Sequence, residues 1–434
     1  MVPEDITDPE FRMHHRHADM IVHPSERDVM FLRARLLTTM RKFFNKRRFV
    51  EVNTPLLQGG AGGAIARPFE TRATEFSDVK LNLRVAPELF LKRLVVGGMS
   101  RVFEIGPAFR NEGIDTTHNP EFTTCEFYGA MLTLDELMTI TQKLFAELFD
   151  TAMESRKGLE SIPRIAKLPD EFAQLEFIPT IEAAIREQDP DWTFPNLSEG
   201  GASDRLLAVF EKFNISRPAF PNLPRLLDAL AGHFIEPLCT KPTFITYHPE
   251  CMSPLAKSFQ REALPTSGIS HRVSARAELF IAGREYVNCY EEENSPLEQR
   301  RKFEDQLLYR RDDDGETGRA VDENYLGALE WGMPPTGGWG CGIDRIVMLL
   351  AGKTRIADVL PFGTLRNVVA LSGPGVKKSK GKPAADGTVG ADSEQELKAT
   401  QSMLAQSRAE IQELKSQLKS MQRLDEGDAL EGSG

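Results

Sequence analysis

Hydrophobic and polar positions along the chain change period several times, and each change marks an element. Phe31, Leu32, Leu36, Leu37, Met40, Phe43 and Phe44 recur close to the helical repeat, which predicts a helix over 31–44. Phe49 to Leu57 then reads as a strand running into Pro55. Leu89 to Val96 returns to helix and ends at Gly97-Gly98. Arg101 to Tyr128 reads as strand, loop, strand, with turn chemistry at Asn111-Glu112-Gly113 and His118-Asn119-Pro120. In the second strand Phe122, Thr124, Glu126 and Tyr128 share one face, and Thr123, Cys125 and Phe127 the other. The second set suits a core. The first carries a ring, a carboxylate and a phenol, a mixture costly to bury without partners. Thr133 to Met153 is an amphipathic helix with Thr133 as N-cap and Glu136 completing a capping box.

Residues 155–240 alternate proline joints with helical stretches near Thr180–Glu187, Ala202–Phe213 and Leu226–Phe234, and read as a helical insertion. Thr243 to Tyr247 is a strand, and the irregular stretch Gln260 to Val273 a candidate flap. Glu278 to Glu292 reads as a hairpin. With its turn at Ala282-Gly283, Glu278 and Glu285 share a face, whereas Asn288, Tyr290 and Glu292 join them only through a bulge or twist. A charged helix spans Glu298–Arg311 and another helix Asp322–Trp331; Asp312-Asp313-Asp314 is a solvated turn. A glycine-rich strand from Gly332 to Gly342 feeds a helix starting near Asp344. From Ser372 the composition shifts. Residues 372–392 read as a disordered linker, 393–424 as a short coiled coil or a solitary frayed helix, and 425–434 as a disordered tail.

Composition narrows the class without fixing the function. The 434 residues are 41% hydrophobic and 27% charged, an ordinary globular balance. The net charge of −11 argues against a dedicated nucleic-acid binder, and Lys46-Arg47-Arg48 reads as a solvated helix face. No apolar run reaches membrane-spanning length, and the N-terminus resembles neither a secretory signal nor a transit peptide. The 5 cysteines stand far apart without a C-x-x-C, so buried thiols are expected. His14, His15 and His17 lack the partner pattern of a metal site and read as exposed. Gly59 to Ala64 has two readings from its residues alone: a phosphate-cradling loop, although G-K-[ST] is missing, or a flexible loop.

The spelling of the central hairpin goes further. Its FRNEG, short loop, HNPEFT and E-x-Y strongly resemble the second signature motif of class II aminoacyl-tRNA synthetases, and more narrowly the lysyl-tRNA synthetases. The helix followed by V-E-V-x-T-P-L-L resembles the first motif, which builds a dimer interface; Arg48 stands where the family usually has glycine. The G-W-G-C-G-I-D-R run through Arg345 resembles the third, and GGA-x-A, R-x-A-P-E, HP-x-x-MSPLAK and the ELFI–GRE hairpin resemble family segments in between.

The resemblance covers roughly residues 8–365 and implies an α+β fold, an antiparallel sheet flanked by helices with a helical insertion and a C-terminal tail, in a catalytic domain over 1–371. It implies a homodimer that uses ATP and Mg²⁺ to make lysyl-adenylate from L-lysine and charges the acceptor end of tRNA, in the cytoplasm or the mitochondrial matrix. Arg110 and Arg345 would be catalytic, and Glu112, His118, Asn119 and Phe122 would join them at ATP. Glu278 and Glu285 would hold the metal and contact ATP. Lysine would meet Gly63, Ala86, Glu88, Arg110, Glu126, Tyr128, Asn288, Tyr290, Glu292 and Gly340, with Glu88 on the α-ammonium and Glu292, Glu126 and Tyr128 on the ε-ammonium. The family carries an N-terminal anticodon-reading barrel, and the resemblance here begins almost at Met1. A fragment or short form of a synthetase, a relative that lysylates a protein, and a non-catalytic assembly factor are the competing expectations. The intact chemical residues argue against the third, and the retained insertion and full lysine-pocket spelling favour the first over the second.

Overall fold

The computed structural model describes residues 5–59, 66–310 and 321–371. Two short helices, α1 (Pro9–His14) and α2 (Arg16–Val22), lead into the long α3 (Pro24–Lys46), whose Leu32, Leu36, Met40, Phe43 and Phe44 are buried. The strand expected over 49–57 is only β1 (Val50–Glu51). Thr54 leaves the ladder because both its N–H and its hydroxyl donate to Glu104, at 3.1 and 2.7 Å, and Pro55 has no N–H to give. β2 (Leu57–Gln58), β3 (Glu70–Ala73) and β4 (Phe76–Leu83) form a separate small sheet, after which come α4 (Glu88–Val96), β5 (Arg101–Phe109) and β6 (Glu121–Ala130). α5 (Leu134–Ser155) begins with the expected capping box of Thr133 and Glu136.

The segment read as a helical insertion also contributes an edge strand, β7 (Ala173–Glu176), ahead of α6 (Phe177–Arg186), α7 (Ala202–Lys212) and α8 (Leu223–Phe234). These three helices bury Phe177, Ile181, Phe210, Leu226 and Leu230 in an apolar cluster of their own. β8 (Thr243–Thr246) follows. The expected flap is a short ribbon, β9 (Ser258–Gln260) and β10 (Arg272–Ser274), tied down by an Arg261–Glu176 ion pair at 2.5 Å and by Thr266 donating to Glu182. The chain continues through β11 (Arg276–Ile281), β12 (Arg284–Glu291), α9 (Pro296–Arg310), α10 (Glu323–Glu330), β13 (Thr336–Gly342), α11 (Ile343–Ala351) and α12 (Leu365–Leu371). The turn at 312–314 and the linker, coiled coil and tail expected over 372–434 lie outside the described residues.

The main sheet has 8 strands in the order β1-β5-β6-β13-β12-β11-β8-β7, antiparallel except for the parallel pairs β1–β5 and β7–β8 at its edges. Its back carries the alternating apolar side chains. Phe127 of β6 stacks on Trp339 of β13 with centroids 5.1 Å apart, and Phe44 of α3 meets both rings. The buried Trp339 N–H donates to Thr141 of α5 at 2.8 Å, so the one polar atom in this aromatic cluster is satisfied. With the bulky residues of β6 and β13 committed to the back, the front is left to Glu126 and Tyr128 on one strand and to glycines on the other.

Candidate active site

Strand register builds the floor of the site. Gly340 lies between Glu126 of β6 and Asn288 of β12; Gly338 lies between Tyr128 and Tyr290. On the far side of β12, Asn288 faces Glu278 and Tyr290 faces Arg276. A cross-strand row of polar side chains is thus interrupted by glycine at the centre, and the missing side chains leave room for a ligand. Above this floor opens a cavity of about 1610 Å³. Of the residues expected from sequence, Ala86, Glu88, Arg110, Glu112, His118, Asn119, Phe122, Glu126, Tyr128, Glu278, Glu285, Asn288, Tyr290, Gly340 and Arg345 all line it. Gly63 lies outside the described residues.

The β11–β12 hairpin has the two-residue turn expected, Ala282 and Gly283, both with positive φ of 52° and 68°. A β-bulge then shifts the register between Leu279 and Phe280, so that Phe280 pairs with Glu285 but Glu278 pairs with Asn288. That extra residue is the device the parity of the sequence required, and it brings Glu285, Asn288 and Tyr290 to one cavity.

At one end of the cavity the polar groups are cationic. Arg110 extends β5, its backbone N–H bonded to Pro120 at 2.8 Å and its guanidinium 5.1 Å from the Phe122 ring centroid. The Arg110 Nε is buried with no hydrogen-bond partner, a donor left open. Arg345, at the start of α11, donates to Nε2 of His118 at 2.9 Å and to the Glu285 carbonyl at 3.0 Å. A guanidinium only donates, so His118 carries its proton on Nδ1 and gives it to Asp115 at 2.8 Å. The Thr117 backbone N–H and the His118 ring hold the Asp115 carboxyl down at about 2. Asn119 spends its side chain on the scaffold, accepting from Leu365 N at 2.9 Å and donating to the Glu121 carbonyl at 2.6 Å. Asp344 ties α3 to this end: it pairs with Arg33 at 2.5 Å and accepts from Thr123 N at 2.9 Å.

Glu278 and Glu285 face the middle. Burial pushes Glu278 up, but Arg276 and His248 outweigh it and bring its carboxyl to about 2. Burial and the Glu278 charge push Glu285 up to about 7, with Arg345 opposing. Arg276 was not foreseen. It bonds Glu278, Asn288 Oδ1 at 3.1 Å, Ser253 Oγ at 2.9 Å and the Met252 carbonyl at 3.0 Å, and so ties polar groups of β11 and β12 to the loop after β8.

The other end is anionic. Glu88 Oε1 accepts from Tyr290 OH and from Lys92 Nζ, each at 2.6 Å. Tyr128 OH donates to Glu126 at 3.1 Å, and burial, reinforced by the Glu88 charge, pushes Glu126 up to about 8. Glu292 is 1% exposed, is not part of the cavity wall, and sits behind Gly338 in an ion pair with Lys92. Lys92, one turn along α4 from Glu88, is a second residue that the sequence reading passed over.

Comparison with known proteins gives a consistent set of matches. The family described as tRNA synthetases class II (D, K and N) matches residues 8–366. The chain is 39% identical over 368 residues to the mitochondrial lysine–tRNA ligase of Schizosaccharomyces pombe, covering 85% of this chain and 67% of that protein. It is 42% identical over 370 residues to the probable cytoplasmic lysine–tRNA ligase of Enterocytozoon bieneusi, covering 83% and 69%. It is 36% identical over 362 residues to the lysine–tRNA ligase of Shouchella clausii, covering 83% and 68%. The matched segment spans about two thirds of the length of these relatives.

Proposed function

Because the chain belongs to the class II tRNA synthetases of the D, K and N group, we propose that it is a lysine–tRNA ligase. It joins L-lysine to ATP, releasing pyrophosphate, and passes the lysyl group from the adenylate to the acceptor end of tRNA. The observation that carries this reading is the polarity of the cavity. Two carboxylates, Glu88 and Glu126, line one end, with a third, Glu292, enclosed behind the Gly338 floor, and two guanidiniums, Arg110 and Arg345, line the other. Few substrate pairs need both, and an amino acid with two ammoniums beside a triphosphate is one. The reaction is also the one named for the relatives.

In this reading the lysine carboxylate attacks the α-phosphate in line, and the protein contributes position and charge more than covalent chemistry. Arg110 serves both anions: its open, buried Nε is a donor that a phosphate or carboxylate oxygen satisfies. Phe122 offers a ring face to adenine, and Arg345 and His118 meet the outer phosphates. Glu88 takes the α-ammonium, while Glu126, Tyr128, Tyr290 and Glu292 surround the ε-ammonium. Ala86, Asn288 and Gly340 complete the lysine walls, and Glu112 and Asn119 the nucleotide side.

Mg²⁺ fits the donors present. Such a cation is held by one or two carboxylates together with substrate phosphates, and Glu278 and Glu285 line one cavity as a mutually repelling pair. Among the described residues no group of three or more His, Cys, Asp or Glu could hold a metal alone. Once bound, it would neutralise phosphate charge as pyrophosphate leaves.

Exposed Phe31, Val50, Leu56 and Leu57, on α3 and around β1 and β2, support a homodimer through that face. Among the described residues no helix is long and apolar enough to cross a membrane. The relatives' names include both the mitochondrion and the cytoplasm, so either translating compartment suits the reaction. ATP–pyrophosphate exchange with each protein amino acid, followed by charging of tRNA, tests the proposal. Exchange with lysine alone is expected; exchange with a different amino acid, or with none, overturns it.

A further inference from the structure

Lys92 has no place in the roles above, yet it is a fully enclosed charge beside the site. Its side chain is 0% exposed. Nζ meets Glu88 Oε1 at 2.6 Å and is paired with Glu292 Oε2. Three tyrosine rings surround it, Tyr128 at 6.0 Å and Tyr290 and Tyr325 each at 5.8 Å from Nζ to the centroid. These are the titratable groups facing it from every packed element: Glu88 from α4, Tyr128 with Glu126 from β6, Tyr290 from β12 with Glu292 beyond it, and Tyr325 from α10. Burial works against the ammonium, but Glu292 and Glu88 outweigh it and its pKa is raised, so Lys92 stays charged.

We propose that Lys92 is a specificity-determining positioning residue that sets the net charge of the lysine subsite and holds Glu88 and Glu292 in place as carboxylates. This rests on the reading of the cavity as a lysine site. The argument is one of charge matching. With every group ionised, three carboxylates and one ammonium leave two negative charges, which equals the two ammoniums of lysine. The free pocket already keeps a proton on Glu126 near neutral pH; without Lys92 the same space would hold a third uncompensated negative charge in low dielectric and would take up a further proton. A single buried pair retained for stability is an unconvincing alternative, because apolar packing serves that end at least as well. The geometry adds a second observation. Neither oxygen of the buried Glu292 carboxylate has a hydrogen-bond partner; Lys92 lies beside Oε2 as an ion pair, and Oε1 lies against Gly338 on the cavity floor. That open acceptor is where a substrate ammonium would complete the carboxylate's coordination.

The test is lysine-dependent ATP–pyrophosphate exchange by the full chain, wild type against Lys92→Met, across pH. Wild type must first show exchange with lysine; failure there overturns the reading of the site and this proposal with it. The variant is expected to raise KM for lysine at least about tenfold near neutral pH, with KM for ATP and kcat much less affected. Its KM for lysine should also fall more steeply than that of wild type as pH rises, because an additional proton must leave the cluster before the substrate binds. A merely structural role would instead lower kcat and raise both KM values together, with no change in pH slope, and that result overturns the proposal. Glu292→Gln and the Lys92→Met/Glu292→Gln double variant keep the test valid should Lys92→Met fail to fold. The double variant again carries two negative charges, so the Lys92 change should cost under about threefold in that background. A multiplicative loss in the double variant counts against charge setting.

Discussion

Arg345 Nη2 and His118 Nε2 meet at 2.9 Å, joining the start of α11 to the loop between β5 and β6. The contact fixes more than distance. Asp115 holds the other ring nitrogen, so His118 is a rigid bracket that keeps the Arg345 guanidinium turned toward the cavity. The same guanidinium is braced by the Glu285 carbonyl, which links the cationic end of the cavity to β12, the strand of the proposed metal-site carboxylate.

His118→Ala removes this bracket and, in the proposed reading, a phosphate contact with it. Its expected effect is a rise in KM for ATP of about tenfold, roughly 1.4 kcal/mol, with little change in KM for lysine. Exchange kinetics with each substrate varied in turn measure both. An effect confined to lysine would place His118 at the wrong end of the cavity.

The Glu126 carboxyl, pushed up to about 8, predicts a pH dependence with a definite sign. Below that value the free pocket holds a proton that an ammonium ligand must displace. Lysine affinity should therefore rise with pH from about 6.5 toward 8, by at most about tenfold per unit, and binding near neutral pH should release a proton. For the protein alone the same shift works the other way. A carboxyl raised in the folded state contributes stability at low pH that is lost as pH rises through about 8. Calorimetric titration of lysine in buffers of different ionisation enthalpy reads the proton count directly. Glu126→Gln should abolish the release, and an unchanged count in that variant would assign the proton elsewhere.

Much of this site was legible because alternation and spelling constrain it. The front face of β6 follows from parity alone, and the parity of Glu285 against Asn288 and Tyr290 called for a bulge or a twist, of which the structure has the bulge. What escaped was set by partners distant in sequence. Glu88 and Lys92 are one helical turn apart, yet nothing local says that this face of α4 turns inward toward Glu292. Arg276 reads as a strand residue until Ser253, Met252 and Asn288 are seen to converge on it. β7, spelled Ala-Gln-Leu-Glu, lacks β-branched residues and exists because the β8 edge is there to pair with. The strand expected after Phe49 failed for a matching reason, since Glu104 competes for the Thr54 donors.

Arg48 shows a departure from the family at small cost. It sits at φ 62°, a left-handed conformation in the turn between α3 and β1, where its N–H bonds the Asn45 carbonyl at 3.0 Å. A Cβ is penalised there, and glycine would lift that penalty while adding entropy to the unfolded chain. Arg48→Gly should stabilise the fold by on the order of 0.5–1 kcal/mol and leave exchange unchanged. Urea unfolding measures this. A loss of stability would mean that the Arg48 side chain makes a contribution larger than the backbone strain.

Gly338 offers the sharpest separation of the two ends of the cavity. It lies on the floor between Tyr128 and Tyr290, with Glu292 directly behind it. A Cβ here would collide with Glu292 Oε1 and come within 2.7 Å of the Tyr128 ring, neither of which is a free surface group that can swing away. At Gly340, two residues on, the nearest atom to a Cβ would be Glu126 Cγ at 3.4 Å, which is tight but tolerable. The prediction is therefore a contrast. Gly338→Ala should displace the Glu292 carboxylate, weaken lysine binding severely, and cost about 1–3 kcal/mol of stability through overpacking. Gly340→Ala should do so only mildly. Neither substitution touches Arg110, Phe122 or Arg345, so ATP binding, measured by equilibrium dialysis without lysine, should stay near wild type in both. Equal losses at the two positions would mean that the strand as a whole, and not the space behind Gly338, sets the lysine site.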